Sequence, residues 1–243
     1  MTAIFLSDLH LSVETPLLTG LFEEFLSGKA RSASSIYILG DLFEYWAGDD
    51  DLDDPFNSRI VSAMRSCSAH VPILFMHGNR DFLIGKAFAE ASGTTLLDDL
   101  LVADIHGIPT LIMHGDSLCT DDTGYQEFRR MVRSADWKAR FMAQPLADRK
   151  AQIAALRVRS EAEKRVKSME IMDVNQGETI RMMRQHGCTR LIHGHTHRPA
   201  THHLDLDGTR AERWVLADWR NEGSYLACDP DNWHSERITT SER

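Results

Sequence analysis

The chain has 243 residues, 42% of them apolar, and a formal net charge of −9. That length accommodates one large domain, or one domain with an insertion, with a sizeable buried core. The four cysteines, at positions 67, 119, 188 and 228, form no zinc-type pair and read as free thiols of a reducing compartment. The first eight residues lack a basic stretch and meet a carboxylate at Asp8, so they are not expected to act as a signal peptide. No run approaches the roughly 18 apolar residues of a membrane span. The expectation is a cytosolic protein, or one peripheral on the cytosolic side.

In chain order, residues 3–7 read as a buried strand ending at Asp8. Thr15-Pro16 predicts a helix start, and the helix runs to about Ala30. A second strand over 35–39 ends at Gly40-Asp41, and 55–69 predicts a helix. The strand at 71–76 ends at His77-Gly78-Asn79, followed by a helix over 82–91 stopped by Gly93. Strands over 96–105 and 108–113 flank a hairpin turn at His106-Gly107, and the second ends at His114-Gly115. Residues 122–170 are long, charged and helix-periodic. Asn175 and Glu178 form a capping box for a helix to about His186. A strand over 190–192 ends at His193-Gly194-His195, a hairpin turns at Asp207-Gly208, and 224–228 adds a last strand. The polar tail from about Asn232 is expected to be mobile.

Five of these strands thus end in a Gly-flanked Asp, His or Asn. Ligands of open α/β sheets sit beyond the strand C-termini. Singly, Asp-x-His, Gly-Asp and His-x-His are common; jointly they cover residues 8 to 197, and every element follows a strand. The set supplies seven metal-capable side chains: Asp8, His10, Asp41, Asn79, His114, His195 and His197. Carboxylate, imidazole and amide donors without cysteine suit Mn, Fe or Zn. Asp41 is expected to bridge two ions by sharing its two oxygens. Asp8, His10 and His197 complete one ion, and Asn79, His114 and His195 the other. Ions about 3.5–4 Å apart on such donors favour phosphoryl-group hydrolysis.

With these residues assembled, the chain resembles the calcineurin-like metallophosphoesterases, whose motif order is D-x-H, G-D, G-N-[HE], H, G-H-x-H. The longer strings 40–46, 78–85 and 114–122 make it similar to the UDP-2,3-diacylglucosamine hydrolase family of lipid A biosynthesis, from Thr2 to about Asp229. The resemblance implies an α/β fold: a two-sheet sandwich flanked by helices, with an inserted helical lid over 122–170. It implies two Mn(II) ions per subunit and cleavage of UDP-2,3-diacylglucosamine to UMP and 2,3-diacylglucosamine 1-phosphate. Asp41, Asn79, Arg80 and His195 are the implied catalytic residues. The implied substrate contacts are Asn79, Arg80, Asp122, Tyr125, Ser160, Lys164, Lys167 and His195. At position 164 the chain departs from the family, with Lys for Asn. The further implications are a monomer, peripheral at the cytoplasmic face of the inner membrane on its anionic surface, with no nucleic-acid partner. The rival readings are another dinuclear-metal phosphodiesterase or nucleotide pyrophosphatase, or a non-catalytic scaffold on this fold.

Arg80 can be argued without the family. The wider superfamily places His after Gly-Asn, where it protonates an alkoxide leaving group. Arginine stays charged and donates protons poorly, but it forks onto phosphate oxygens. A leaving group that needs no proton, such as a phosphate monoester, fits it. Asp81 is expected to orient the metal loops from behind.

The charge is uneven. Residues 122–170 hold 12 Lys/Arg against 7 Asp/Glu, a balance of +5, so the remainder carries −14. A basic segment inside an acidic protein points to an anionic ligand or surface, or to an ordinary solvated helical face. Its interleaved Phe128, Met131, Trp137, Phe141 and Leu156 suit acyl chains or packing onto the body. Trp46 and Phe82 are candidates to line the same cleft.

Overall fold

The computed structural model describes residues 2–164, 171 and 173–239, with side chains given to Ser160 in the long helix that ends at 164. Lys167, and the side chain of Lys164, lie outside what it describes. Strands β1 (Ala3–Leu6), β2 (Ser35–Ile38) and β3 (Ile73–Phe75) run parallel, and β4 (Thr95–Leu96) extends them in parallel at one edge. β10 (Gly223–Cys228) pairs antiparallel on the other side of β1, and β11 (Trp233–Ile238) closes that edge, giving the order β11-β10-β1-β2-β3-β4. The second sheet has the order β5-β6-β7-β9-β8, from Leu100–Ile105, Ile108–Met113, Arg190–His193, Thr209–Val215 and Ala200–Leu206 respectively.

Strand periodicity explains why two layers of core form. Alternate side chains leave opposite faces of a strand. Ile4 and Leu6, with Ile36 and Ile38, join Phe22, Phe25, Ile60 and Met64 under helices α1 (Pro16–Ser27) and α2 (Pro55–Ser68). Ala3, Phe5 and Tyr37 face the other way and join a second cluster with Leu111, Ile112, Leu191 and Ile192 of the second sheet. Phe5 and Tyr37 stack there, with ring centroids 4.5 Å apart. β1 and β2 are therefore apolar almost throughout, as doubly covered parallel strands must be.

Several boundaries differ from the sequence reading. The single strand expected over 96–105 divides at Asp98 and Asp99 into β4 and β5, which belong to different sheets. The helix expected over 82–91 begins later, as α3 (Lys86–Ser92). The Asp49 carboxylate accepts the Gly85 and Phe88 amides at 2.9 and 3.0 Å, which fixes the start at residue 85 and leaves 82–84 as loop. Thr15 does not cap α1 with its side chain; its hydroxyl accepts the Ser12 amide at 3.0 Å, and Pro16 carries the start. The tail expected to be mobile forms β11 in its Trp233–Ile238 part, through six residue pairs with β10.

Between β6 and β7 the chain forms α4 (Thr123–Arg133), α5 (Ala135–Met142) and α6 (Leu146–Lys164). Asp122 and Ser134 cap the first two, and Asn175 caps α7 (Gln176–Gln185). Glu178 turns to Arg181 and the Asn175 amide donates to the Leu118 carbonyl, so one half of the expected capping box forms. The basic residues of this segment dock it. Arg129 and Arg133 reach Asp99 at 3.0 and 2.6 Å, Arg129 also reaches Asp116 at 2.7 Å, and Arg133 donates to the Gly78 carbonyl at 2.8 Å. Arg149, 1% exposed, donates to the Ala47 carbonyl at 2.6 Å and pairs with Asp50, while Lys150 reaches Asp51 at 2.7 Å.

Candidate metal centre

The loops that follow β1, β2, β3, β6 and β7 converge at one end of the two sheets. Of seven non-glycine residues with positive φ among those described, five are expected ligands: Asp8 (56°), His10 (49°), Asp41 (52°), His195 (67°) and His197 (55°). The other two, His106 and Asp207, precede glycines in the hairpin turns, where positive φ is required. Left-handed backbone at Asp or His is tolerated but costs roughly 1–3 kcal/mol, and such residues concentrate at functional sites. The loops also nest. A Cβ on Gly78 would stand 2.1 Å from Asp41 Oδ1, and one on Gly194 would stand 2.2 Å from Asp8 Oδ2. Those glycines let neighbouring loops close until the carboxylates meet.

The donor atoms fall into two overlapping groups, Asp8–His10–His197 and Asp8–Asp41–His114, each with its ligand atoms within 4.8 Å of one another. His197 Nε2 lies 3.3 Å from Asp8 Oδ1, and His10 Nε2 lies 4.0 Å from the same oxygen. Asn79 Oδ1 stands 3.2 Å from His114 Nε2 and 2.8 Å from His195 Nδ1, which completes the second group. All seven expected ligands are thus brought together. Asp41 Oδ2 is 3.9 Å from both His10 Nε2 and His114 Nε2, midway between the groups. Its Oδ1 accepts the Arg80 amide at 2.7 Å. One oxygen of Asp41, rather than the two expected from sequence, therefore faces both groups.

These residues fit divalent cations. Asp8, Asp41 and His114 are at most 2% exposed. His10 Nε2 is buried with no hydrogen-bond partner among the described residues, and buried Asp8 Oδ1 has His197 Nε2 at 3.3 Å, an arrangement that leaves donor capacity directed at a shared point. Burial and neighbouring charges shift these groups in opposite directions. Burial would raise the Asp8 carboxyl, but its hydrogen bond with His197 and the neighbouring imidazoles hold it well below the carboxylate range. Burial would lower His197, yet Asp218 and Asp8 push it up to about 9. Burial, reinforced by His114, pushes His195 down to about 3.

Sequence reasoning missed the groups that aim the rings. His10 Nδ1 is 2.9 Å from Glu44, His197 Nδ1 is 3.1 Å from Asp218, and His114 Nδ1 is 2.7 Å from the Leu39 carbonyl. Each leaves Nε2 pointing inward, the usual device for fixing a metal-binding histidine. Burial would raise Glu44, but its bond with His10, then the charges of His10, Arg80 and Arg157, pull it down to about 2. Asp81 was anticipated: it accepts the Gly78 and Leu42 amides, each at 2.8 Å, and so braces both metal loops. Burial and the nearby Asp41 raise its carboxyl to about 7.

The remaining expected contacts divide. Arg80 lies beside Asp41, its guanidinium 3.9 Å from Glu44. Tyr125 stacks on His195, with ring centroids 5.8 Å apart, and donates its hydroxyl to Asp116 at 2.8 Å. Asp122 caps α4 through the Tyr125 amide at 3.0 Å. Ser160 is half-buried on α6, three residues after Arg157, which reaches Glu44 at 2.7 Å. Trp46 is not in the cleft; it is 1% exposed, packed against Phe43 and Phe88, with its indole N–H on Asp49. Phe82 lies at the junction with the helical segment, 6.1 Å from Trp137 and under Arg133.

The chain belongs to the calcineurin-like phosphoesterase family, whose sequence model matches residues 1–199. That family implies divalent metal ions at such a centre. More specific relatives are proteins named UDP-2,3-diacylglucosamine hydrolase. The one from Escherichia coli (strain K12) is 48% identical over 233 residues, 96% of this chain and 97% of its own. The one from Cellvibrio japonicus (strain Ueda107) is 47% identical over 224 residues, 92% and 93% of the two chains. The one from Aromatoleum aromaticum is 47% identical over 230 residues, 94% of each. A solved archaeal phosphodiesterase shares the fold with a TM-score of 0.50 and 12% identity, covering 98% of this chain and all of that one.

Proposed function

We propose that this protein hydrolyses UDP-2,3-diacylglucosamine by attack of water on the α-phosphorus, giving UMP and 2,3-diacylglucosamine 1-phosphate in lipid A biosynthesis. The observation that carries this reading is 47–48% identity, over more than nine-tenths of the chain, to proteins named for that substrate. The convergence of Asp8, His10, Asp41, Asn79, His114, His195 and His197 gives it a chemical basis.

Two Mn(II) ions per subunit are the proposed cofactors. Asp8, His10 and His197 would hold one and Asn79, His114 and His195 the other, with Asp41 Oδ2 shared. When bound, such ions acidify a coordinated water to near neutral pH and neutralise phosphate charge. The chain's own part is positional. Asp218, Glu44 and the Leu39 carbonyl fix the imidazole orientations, so no reorganisation is needed at the moment of attack. Arg80, its backbone tied to Asp41, presents a permanent cation to phosphate oxygens. It supplies no proton, and none is needed, because the departing lipid 1-phosphate is already a stable anion. Asn79 and His195 complete the catalytic set, and Asp122, Tyr125, Ser160, Lys164 and Lys167 are proposed substrate contacts.

Helices α4–α6 are the proposed lid over 122–170, within a single metallophosphoesterase domain. They expose Phe128, Met131 and Leu156, side chains suited to acyl chains. No described helix is long and apolar enough to cross a membrane. Peripheral association of a monomer with the anionic inner face of the inner membrane is the proposed setting. The reaction with Mn(II) in ¹⁸O-water decides the chemistry by mass spectrometry. Label in UMP is expected; label in the lipid phosphate would overturn attack at the α-phosphorus.

A further inference from the structure

We propose that Glu44 is a positioning residue that couples the His10 side of the metal centre to the seating of α6. The proposal rests on His10 being a metal ligand. It does not depend on the identity of the substrate.

The backbone delivers Glu44 to this position. Its amide donates to the Leu11 carbonyl at 3.0 Å, and Leu11 and Phe43 form a bridge, so the 43–44 segment is fastened to the segment carrying His10. The two carboxylate oxygens then do different things. Oε2 takes His10 Nδ1 at 2.9 Å. Oε1 takes the Arg157 guanidinium of α6 at 2.7 Å, with Arg80 at 3.9 Å. Arg157 also lies over the Tyr45 ring, 5.8 Å from its centroid, so α6 grips residues 44 and 45 together.

His10 is exposed to this influence in a way its neighbours are not. The groups that aim His114 and His197 are the Leu39 carbonyl, at the end of β2, and Asp218, which is paired with Arg220 beyond β9. Of the three, Glu44 alone also holds a residue of α6 among the described residues. Without Arg157, Glu44 Oε1 keeps Arg80 at 3.9 Å but loses its shorter partner, and the carboxylate holds the His10 ring less firmly. An isolated, half-exposed ion pair contributes only about 0–1 kcal/mol. The Arg157–Glu44 pair matters here because it acts on a ring whose Nε2 faces two buried carboxylates, 3.9 and 4.0 Å away. Coupling of this kind is reciprocal: whatever tightens the grip at His10 also seats α6.

The test uses the metal-free full chain and Mn(II) alone, titrated by calorimetry and electron paramagnetic resonance without substrate. E44A is expected to weaken one class of site about 10–100-fold, as loss of a group orienting a ligand does. R157A, which does not touch His10, is expected to weaken the same class roughly fivefold, and R157K to restore it. The double variant is expected to bind no more weakly than E44A, because both act through one carboxylate. Hydrogen exchange along α6 is expected to slow on Mn addition in the wild type but not in E44A. Unchanged metal affinity in R157A, or additive losses in the double variant, would overturn the proposal. If E44A does not fold, E44Q and R157A still decide it. The two readings fail separately. A wild type that binds Mn but leaves the lipid nucleotide intact sinks the proposed substrate alone. An R157A variant altered only in KM sinks the coupling alone.

Discussion

The metal crevice and the basic helical segment make opposite use of charge. In the crevice, buried carboxylates and imidazoles are held at strained backbone positions, and His10 Nε2 has no hydrogen-bond partner among the described residues. In the helical segment, whose +5 balance suggested an anionic ligand, the arginines nearest the body are already committed. Arg129 and Arg133 bind Asp99 and Asp116, Arg149 and Lys150 bind Asp50 and Asp51, and Arg157 binds Glu44. Much of the positive charge fastens an insertion to an acidic body. A charge balance counted along the sequence cannot separate docking charge from recognition charge, whereas the convergence of buried donor atoms from separate loops marks the candidate site.

The strongest way to break this contrast is at Asp41. Asp41→Ala removes the oxygen that faces both ligand groups, and turnover of the lipid nucleotide is expected to fall to the detection limit with an unchanged circular dichroism spectrum. Near wild-type activity would dismiss the shared-ligand role. Asp116→Ala attacks the docking side instead. It deprives Arg129, Arg133 and Tyr125 of a buried carboxylate and is expected to cost about 3 kcal/mol, the low end for breaking a buried ion pair. Thermal melts measure the loss, and limited proteolysis should cut first within α4 and α5. Full stability with intact helices would show that the segment is held elsewhere.

The positions of all seven proposed ligands were legible in the sequence, because each lies in a loop after an apolar strand and every motif but Asp8-Leu9-His10 carries a glycine. Their environment was not. Glu44 and Asp218 look like ordinary acidic loop residues, and only the fold brings them to the backs of His10 and His197. The same is true of the break at Asp98-Asp99. An apolar run is compatible with one strand, and tertiary pairing alone decides that β4 and β5 join different sheets. Trp46 misled for a related reason: its neighbours in sequence line the site, but its ring turns into the aromatic core with Phe43 and Phe88. β11 was hidden by alternation. Trp233 is buried while His234, Glu236 and Arg237 keep the edge strand polar, so composition alone reads it as a tail.

Arg80→His sharpens the chemical half of the comparison. The imidazole can give a proton that this leaving group does not need, and it withdraws a permanent charge from the phosphate. Charge-assisted hydrogen bonds are worth about 1.5–3 kcal/mol, so kcat/KM for the lipid nucleotide is expected to drop roughly 10–100-fold. Relative activity on a phosphodiester with a poor alkoxide leaving group should rise at the same time. A variant with the wild-type rate on the lipid nucleotide would refute the assignment of Arg80 to a leaving group that needs no proton.

The smallest expected effect separates committed from available cations within the helical segment itself. Lys150 is paired with Asp51 at 2.7 Å, whereas Arg130 is exposed on α4 and donates to the Gln126 carbonyl of its own helix at 3.3 Å. Near an anionic surface each available cation is worth about 1 kcal/mol, and a cation already neutralised by a carboxylate contributes far less. Arg130→Ala should therefore weaken sedimentation with phosphatidylglycerol vesicles roughly fivefold, with the loss erased at high salt. Lys150→Ala, which removes the same formal charge, should leave vesicle binding within error of the wild type. Equal losses from the two substitutions would mean that the surface responds to total charge, and that the pairing seen on α6 does not decide which cations face the membrane.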